Sequence, residues 1–368
     1  MSRSKPAEAT EAAETRVQKL RNRIDQIDQQ IMELLHERGR AAKTIGAVKS
    51  DERIAIYAPH RERNVLERVE ALNVDGVYPN HAVKAIYREI ISATRALETA
   101  SAVAYLGPEA SFTHMAARKF FGEGARYLPQ SDQADIFRAV ERGVCHHGVV
   151  PIENSTHGIV VDTLDQFVDS SLQICGETEI SITQNIMSGS SLGEVKRVYS
   201  HQQAFAQCRT WLQTRLPDAE LVAVSSTSEG ARKAAEEPKT AAIASELAAQ
   251  VYDLQILEAR IEDLRDNTTR FLSIGNDRPA PSGDDKTSIF FTARHEAGAL
   301  MRVLEQFAKN DVSLTSIQSR PSRVESWEYG FFIECEGHSE EAPLNETVQQ
   351  LRSVCLSVKI LGSYPRLR

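Results

Sequence analysis

The chain has no long hydrophobic run, little cysteine and no surplus of positive charge, and each absence removes a class of function. No stretch approaches the roughly 18 consecutive apolar residues that a membrane-crossing helix needs. Residues 1–15, rich in alanine, glutamate and serine, lack the apolar core of a secretory signal and read as a disordered tail. Lysine and arginine number 43 against 51 acidic residues, a net charge of -8, so a nucleic-acid partner is not expected. The five cysteines (145, 175, 208, 335 and 355) are scattered, odd in number and free of any Cys-x-x-Cys pair. They argue against a disulfide framework or zinc site and fit a reducing cytoplasm. His146 and His147 follow Cys145, but neighbours in sequence point in different directions, which suits a surface loop better than a metal site. A dinucleotide-binding G-x-G-x-x-G loop is missing too, because Tyr127 fills the third place after Gly122 and Gly124. No metal or organic cofactor is implied.

What is present divides the 368 residues into two or three domains. Over 16–99 the pattern is helical: Leu20, Ile24, Ile27, Ile31, Leu34 and Leu35 recur at three- and four-residue steps, continuing to Ile45 and Val48. A first helix of about 35 residues is long for so narrow a stripe, which predicts an intertwined homodimer or larger assembly. Pro59 opens a second helix to Leu72, and a third covers 80–97. From 102 to 277, short β-rich runs (103–106, 148–152, 195–199) alternate with Ala-rich runs read as helical (228–236, 241–252), which indicates α/β layers. Residues 278–286, with Pro279, Pro281 and Gly283, read as a linker. Over 287–368 the order is β-α-β-β-α-β, the ferredoxin-like arrangement, with strands at 287–293, 312–320 and 327–336 and a final strand at the end.

Basic residues on the first helix are informative. Arg38 and Lys49 are eleven positions apart (49 − 38), three turns plus roughly 20° at ~100° per residue, so they share a face. Arg21, seventeen positions before Arg38, lies about 100° away and serves a different pocket, such as that of a dimer partner. Together with Arg61-Glu62 behind Pro59, Thr94 and Glu98, these residues resemble the all-helical chorismate mutases. The resemblance implies that Arg38, Arg61 and a partner's Arg21 hold the two carboxylates of chorismate, with Glu62 and Thr94 beside them. Lys49 and Glu98 would face the breaking ether oxygen. Many relatives carry Gln where Glu98 stands. A carboxylate cannot donate a hydrogen bond, so Glu98 is expected to act as the neutral acid. Ala58 stands where some relatives place Asp.

Polar clusters close several expected strands: Gly107–Thr113, Val150–Thr156, Ser200-His201-Gln202-Gln203, Ser225-Ser226-Thr227 and Asn267-Thr268-Thr269-Arg270-Phe271. Strand ends are where open α/β sheets bind ligands. In this order they resemble prephenate dehydratase, whose hallmark is the Thr-Arg-Phe triplet. The resemblance implies two lobes like a type-two periplasmic binding protein, with prephenate between them and Thr269 essential. Ser111, Thr113, Asn154, Ser155 and Gln203 are the expected further contacts, while Arg270 either pairs with a substrate carboxylate or braces the cleft. Gln202 replaces a proline usual in that family. Gly189-Ser190-Ser191-Leu192-Gly193 matches a hydrolase elbow, but a β-rich run follows it where a helix is required.

The last unit, with Gly298-Ala299-Leu300 and Gln318-Ser319-Arg320-Pro321, resembles the ACT domain of the same enzymes. The resemblance implies phenylalanine binding at both motifs and feedback inhibition. Gln318 replaces a glutamate there. Taken whole, the chain resembles a bifunctional chorismate mutase–prephenate dehydratase. The alternative from another class is an amino-acid-responsive binding or regulatory protein without catalysis.

Overall fold

The computed structural model describes residues 5–52, 57–98, 101–294, 296–321 and 329–367. Its first element, α1 (Lys5–Asp51), runs 47 residues. Residues 5–15 are therefore helical and not the disordered tail expected. Alanine and glutamate favour helix, and Pro6 sits in the first turn, where its missing N–H costs nothing. Residues 1–4 lie outside the described residues. Pro59 opens α2 (Pro59–Leu72) in the same way, and α3 (Asn80–Glu98) packs against both preceding helices. Val17, Leu20, Ile24, Ile27, Ile31 and Leu34 nevertheless lie exposed along α1. No described helix is long and apolar enough to cross a membrane.

Beyond Ser101 come two α/β lobes. The first contains β1 (Ala102–Leu106), α4 (Phe112–Phe121), β2 (Arg126–Gln130), α5 (Gln133–Glu141), β3 (His147–Asn154), β4 (Gly158–Ile159), α6 (Val161–Asp169) and β5 (Gln173–Ser181). The chain then crosses to β6 (Asn185–Ser188), β7 (Arg197–Ser200), α7 (Gln202–Gln207), α8 (Arg209–Arg215), β8 (Glu220–Ala223), α9 (Thr227–Glu236), β9 (Thr240–Ala244), α10 (Glu246–Val251) and β10 (Gln255–Glu258). It returns as β11 (Thr268–Gly275), which enters the first sheet antiparallel between β3 and β5. The sheet orders are β2-β1-β3-β11-β5, with β4 on β3, and β10-β6-β9-β7-β8. One expectation fails here. Residues 241–252 are not a single helix, because Ala241–Ala244 form β9, fully buried and parallel to β7. Burial on both faces overrides alanine's helical preference, and Ser245 then caps α10 by accepting from the Ala248 amide.

The third unit comprises β12 (Asp285–Ala293), α11 (Ala299–Lys309), β13 (Leu314–Pro321), β14 (Tyr329–Glu336), α12 (Ala342–Val354) and β15 (Ser357–Pro365). Its antiparallel order, β13-β14-β12-β15, is ferredoxin-like. Residues 327 and 328, expected to open the third of these strands, lie outside the described residues. Phe290, Phe332, Leu361 and Tyr364 of this sheet share one apolar core with Ile152, Phe167 and Ile174 of the first lobe.

The helical unit docks on the first lobe just as closely. Ser92 Oγ donates to the Phe121 carbonyl at 2.6 Å and accepts from the Gly124 amide at 2.9 Å. Tyr57 and Phe121 both pack against His147, with ring centroids 5.0 Å away in each case. His147 and Cys145 are thus buried and not in a surface loop, and burial pushes the imidazole down to about 3, keeping it neutral. Gly122 has φ +65°, and a Cβ there would lie 2.5 Å from Ser92 Cβ. Gly122→Ala should therefore cost about 1–3 kcal/mol and lower the thermal midpoint. A variant that melts with the wild type would show that the two units do not meet this way in solution.

Candidate active sites

The first cavity, of about 280 Å3, lies within the helical unit. Arg38 and Lys49 reach it from α1, Arg61, Glu62 and Arg68 from α2, and Thr94, Arg95 and Glu98 from α3. Six of the seven expected residues are gathered here. Arg21 is the exception: it is exposed, and seventeen residues of helix place it about 25 Å along α1 from Arg38. Arg68 and Arg95 were missed. Arg68 carries a legible signal, seven residues beyond Arg61 and so nearly on the same face.

The charges in this cavity are ordered. Lys49 Nζ is 3.3 Å from Glu98 Oε2, and Arg95 Nη2 is 2.7 Å from Glu62 Oε1. Arg38 Nη1 donates to Thr94 Oγ1 and to the Ile90 carbonyl. After these two ion pairs, Arg38, Arg61 and Arg68 bring positive charge that no carboxylate among the lining residues matches. That surplus suits a dianion. Burial pushes the Glu62 carboxyl up, and Arg95 pulls it back down.

The second cavity, of about 400 Å3, lies between the two α/β lobes. Ser111 and Thr113 at the start of α4, Asn154 at the end of β3, Gln203 on α7 and Thr269 on β11 all line it, as expected. Ser111 is also the N-cap of α4, accepting from the His114 amide. Asn154 Nδ2 donates to Thr269 Oγ1 at 2.8 Å, and its Oδ1 accepts from the amides of Thr156 and His157 at 3.0 Å. Two expected contacts do not reach the lining. Ser155 Oγ accepts from the Thr268 amide at 3.0 Å and ties the β3 turn to β11 instead. Arg270 follows Thr269 on a strand, so its side chain leaves by the other face. The cleft also holds His157, Gln184 and Gln207, which the sequence reading did not single out.

Arg270 sits in a cluster joining the first lobe to the C-terminal sheet. Its Nη1 is 2.7 Å from Glu334 of β14 and 3.3 Å from Glu177 of β5, and its Nη2 is 3.3 Å from Glu153. Lys286 of β12 is 2.9 Å from Glu177 and 3.6 Å from Glu334. Arg270 thus braces the lobe and does not face the cleft.

Of the expected phenylalanine motifs, Gly298 caps α11 with φ 77°, and Ala299 and Leu300 form its first turn. Gln318, Ser319, Arg320 and Pro321 lie on β13, an edge strand. Gln318 adjoins Arg270 and Glu334 at a small cavity between the sheets, and Arg320 pairs with Asp165 of α6 at 3.1 Å.

Two family models match this chain: chorismate mutase type II over residues 20–99 and prephenate dehydratase over 103–279. A bifunctional chorismate mutase/prephenate dehydratase from Aquifex aeolicus is 46% identical, over 95% of this chain and 98% of its own. Among solved structures, a prephenate dehydratase from Arthrobacter aurescens in complex with L-Phe is 33% identical with a TM-score of 0.66. It covers 72% of this chain and 90% of its own. A protein described as a novel type of quorum-quenching acylase, GqqA, shares 27% identity at TM-score 0.67, covering 72% of this chain and 98% of its own. One fold therefore carries differently named activities, and function must be argued from the sites. With both family models matched and a doubly named relative aligned along nearly its whole length, the chain belongs to the bifunctional chorismate mutase/prephenate dehydratase family and takes chorismate through prephenate to phenylpyruvate on the route to L-phenylalanine.

Proposed function

We propose that residues 16–99 hold the mutase site, 102–277 the dehydratase site and 287–368 an ACT domain that senses phenylalanine. The observation that carries the mutase assignment is the convergence of Arg38, Lys49, Arg61, Thr94 and Glu98 from three helices on one cavity. Chorismate needs no proton transfer or covalent intermediate to rearrange. Catalysis is then a matter of holding the compact conformer and supporting charge on the breaking ether oxygen. Arg38 and Arg61 hold carboxylates by their planar forks, and Lys49 donates to the ether oxygen.

A second copy completes this site. The exposed apolar stripe of α1 needs a cover, and a two-fold axis across it brings the partner's Arg21 toward Arg38. Arg21→Ala and Arg38→Ala should each abolish mutase activity while sparing the dehydratase. Mixing the two variants under subunit exchange should restore about a quarter of wild-type activity, since half of the dimers are mixed and each has one intact site. No recovery in demonstrably mixed dimers would sink the shared site.

Glu98 can donate to the ether oxygen only as the neutral acid, and as an anion it holds Lys49 instead. Glu98→Gln donates at every pH and frees the lysine. Mutase kcat at neutral pH should therefore be at least the wild-type value in Glu98→Gln and fall in Glu98→Ala. A Glu98→Gln variant as impaired as Glu98→Ala would remove this role.

In the dehydratase cleft, Thr269 donates a hydrogen bond to the departing hydroxyl, held by Asn154. The two lobes with two crossings support the type-two periplasmic-binding-protein reading, and the β-α-β-β-α-β unit supports the ACT reading. Gly298 lets a carboxylate approach the start of α11, with Gln318–Pro321 as the second contact. Phenylalanine should inhibit the dehydratase, and a flat titration would leave the domain a structural role only. If the signal crosses the Arg270–Glu334 contact, Glu334→Gln should raise the inhibitory concentration at least tenfold while calorimetry still records phenylalanine binding.

A further inference from the structure

Loss of the ring hydroxyl from prephenate has a requirement that Thr269 cannot meet alone. The C–O bond breaks with its electron pair on oxygen. The bond to the ring carboxylate breaks with its pair flowing into the ring, which becomes aromatic as carbon dioxide departs. One proton must be added to the oxygen so that it leaves as water: prephenate and H⁺ give phenylpyruvate, CO2 and H2O. An aliphatic hydroxyl such as that of Thr269, Ser111 or Thr113 is too weak an acid to supply it, whereas imidazolium is well matched to neutral pH.

Among the described side chains lining the cleft, the acid–base groups are the imidazoles of His157 and His201, with no carboxyl, lysine or tyrosine beside them. His201 is committed as the N-cap of α7, where its Nδ1 accepts from the Gln203 amide at 3.3 Å. His157 is differently placed. It stands in the turn after β3, with Nδ1 3.0 Å from Asn154 Oδ1, and the same Asn154 donates to Thr269 Oγ1 at 2.8 Å. Gln203 of the second lobe brings its amide nitrogen to 2.8 Å from Nε2 and 3.2 Å from Nδ1, so it meets the ring between the two nitrogens and leaves the Nε2–H direction to a ligand. With Nδ1–H donating to Asn154, the Nε2 proton is the one offered to a ligand between the lobes. The side chains that face His157 are the neutral amides of Asn154 from β3 and Gln203 from α7. A bound anion favours the imidazolium, and the exposed ring can be reloaded from water.

We propose that His157 is the acid of the dehydration step, passing its Nε2 proton to the leaving hydroxyl while Asn154 aligns it with Thr269. The inference rests on prephenate occupying this cleft, and the test separates the two. His157→Gln keeps a polar side chain but carries no transferable proton. Its dehydratase kcat should fall about 10²-fold or more, with KM within about threefold and mutase activity, read on the same chain, unchanged. Wild-type dehydratase kcat should decline as pH rises above the range in which histidines titrate, and the variant should lose that decline. Added imidazole should restore part of the activity of His157→Ala. A kcat within threefold of wild type overturns the proposal, and so does a lower kcat with the wild-type pH profile intact, which would mean a positioning role through Asn154. Should the variants lose mutase activity as well, the wild-type profile decides: no decline between pH 6 and 9 overturns it. Thr269→Val is the control for the cleft itself. If it is inactive while His157→Gln is not, the cleft reading survives and only the donor falls; if both are fully active, the cleft reading falls.

Discussion

Strand alternation at two adjacent positions of β11 organises the dehydratase half of the molecule. Successive side chains on a strand leave by opposite faces, so Thr269 turns into the cleft while Arg270 turns into the cluster with Glu153, Glu177, Lys286 and Glu334. The register of β11 against β3 shifts between Arg270 and Phe271, and that bulge changes the strand's course where both functions are needed. Glu177 is almost wholly buried, and a buried carboxylate is tolerable only when paired. Removing either partner from this cluster leaves a charge stranded between two sheets. The residue beside the reacting group is thereby held by the C-terminal sheet, which gives any movement of that sheet a short mechanical path to Thr269.

A comparable joint links the first cavity to the same lobe. Arg95 lines the cavity, yet its guanidinium lies 5.1 Å from the ring of Tyr57 and 5.4 Å from that of Phe121, on α4. Its Nη2 meets Glu62, while Nε and Nη1 have no hydrogen-bond partner among the described residues. The aromatic faces take the place of those partners, as a guanidinium permits and an ammonium does less well. Glu62 thus answers to the cavity on one side and to the lobe contact on the other.

The parts legible in the sequence are those governed by local periodicity. The bounds of α2, the β-α-β-β-α-β order and the shared face of Arg38 and Lys49 follow from spacing and pattern, while Arg61, Thr94 and Glu98 join them through the resemblance to the helical chorismate mutases. What was not legible depends on long-range burial. Ala241–Ala244 carry helix-favouring side chains but lie between β6 and β7, and only the assembled sheet reveals this. His147 reads as polar surface until Tyr57, from another unit, covers it. Arg270 admits two roles in the sequence because the motif names the residue but not its face, and the strand that runs through it decides between them. His157 sits in a turn with no pattern of its own, so only the assembled cleft, where it meets Asn154 and Gln203, brings it out.

The two sites differ in charge, and the two reactions explain why. Chorismate and prephenate each carry two carboxylates, so permanent cations in the first cavity serve substrate, transition state and product alike, and selectivity for the transition state must come from the ether oxygen. In the second reaction one carboxylate leaves as neutral carbon dioxide. An arginine clamped on that group would stabilise the ground state more than the transition state and slow the step. The cleft lining accordingly contains amides, hydroxyls and imidazoles and, among the described residues, no arginine or lysine. Turning Arg270 away from the cleft keeps its charge out of a site where it would oppose decarboxylation, while its fixed place on β11 still braces the strand that carries Thr269.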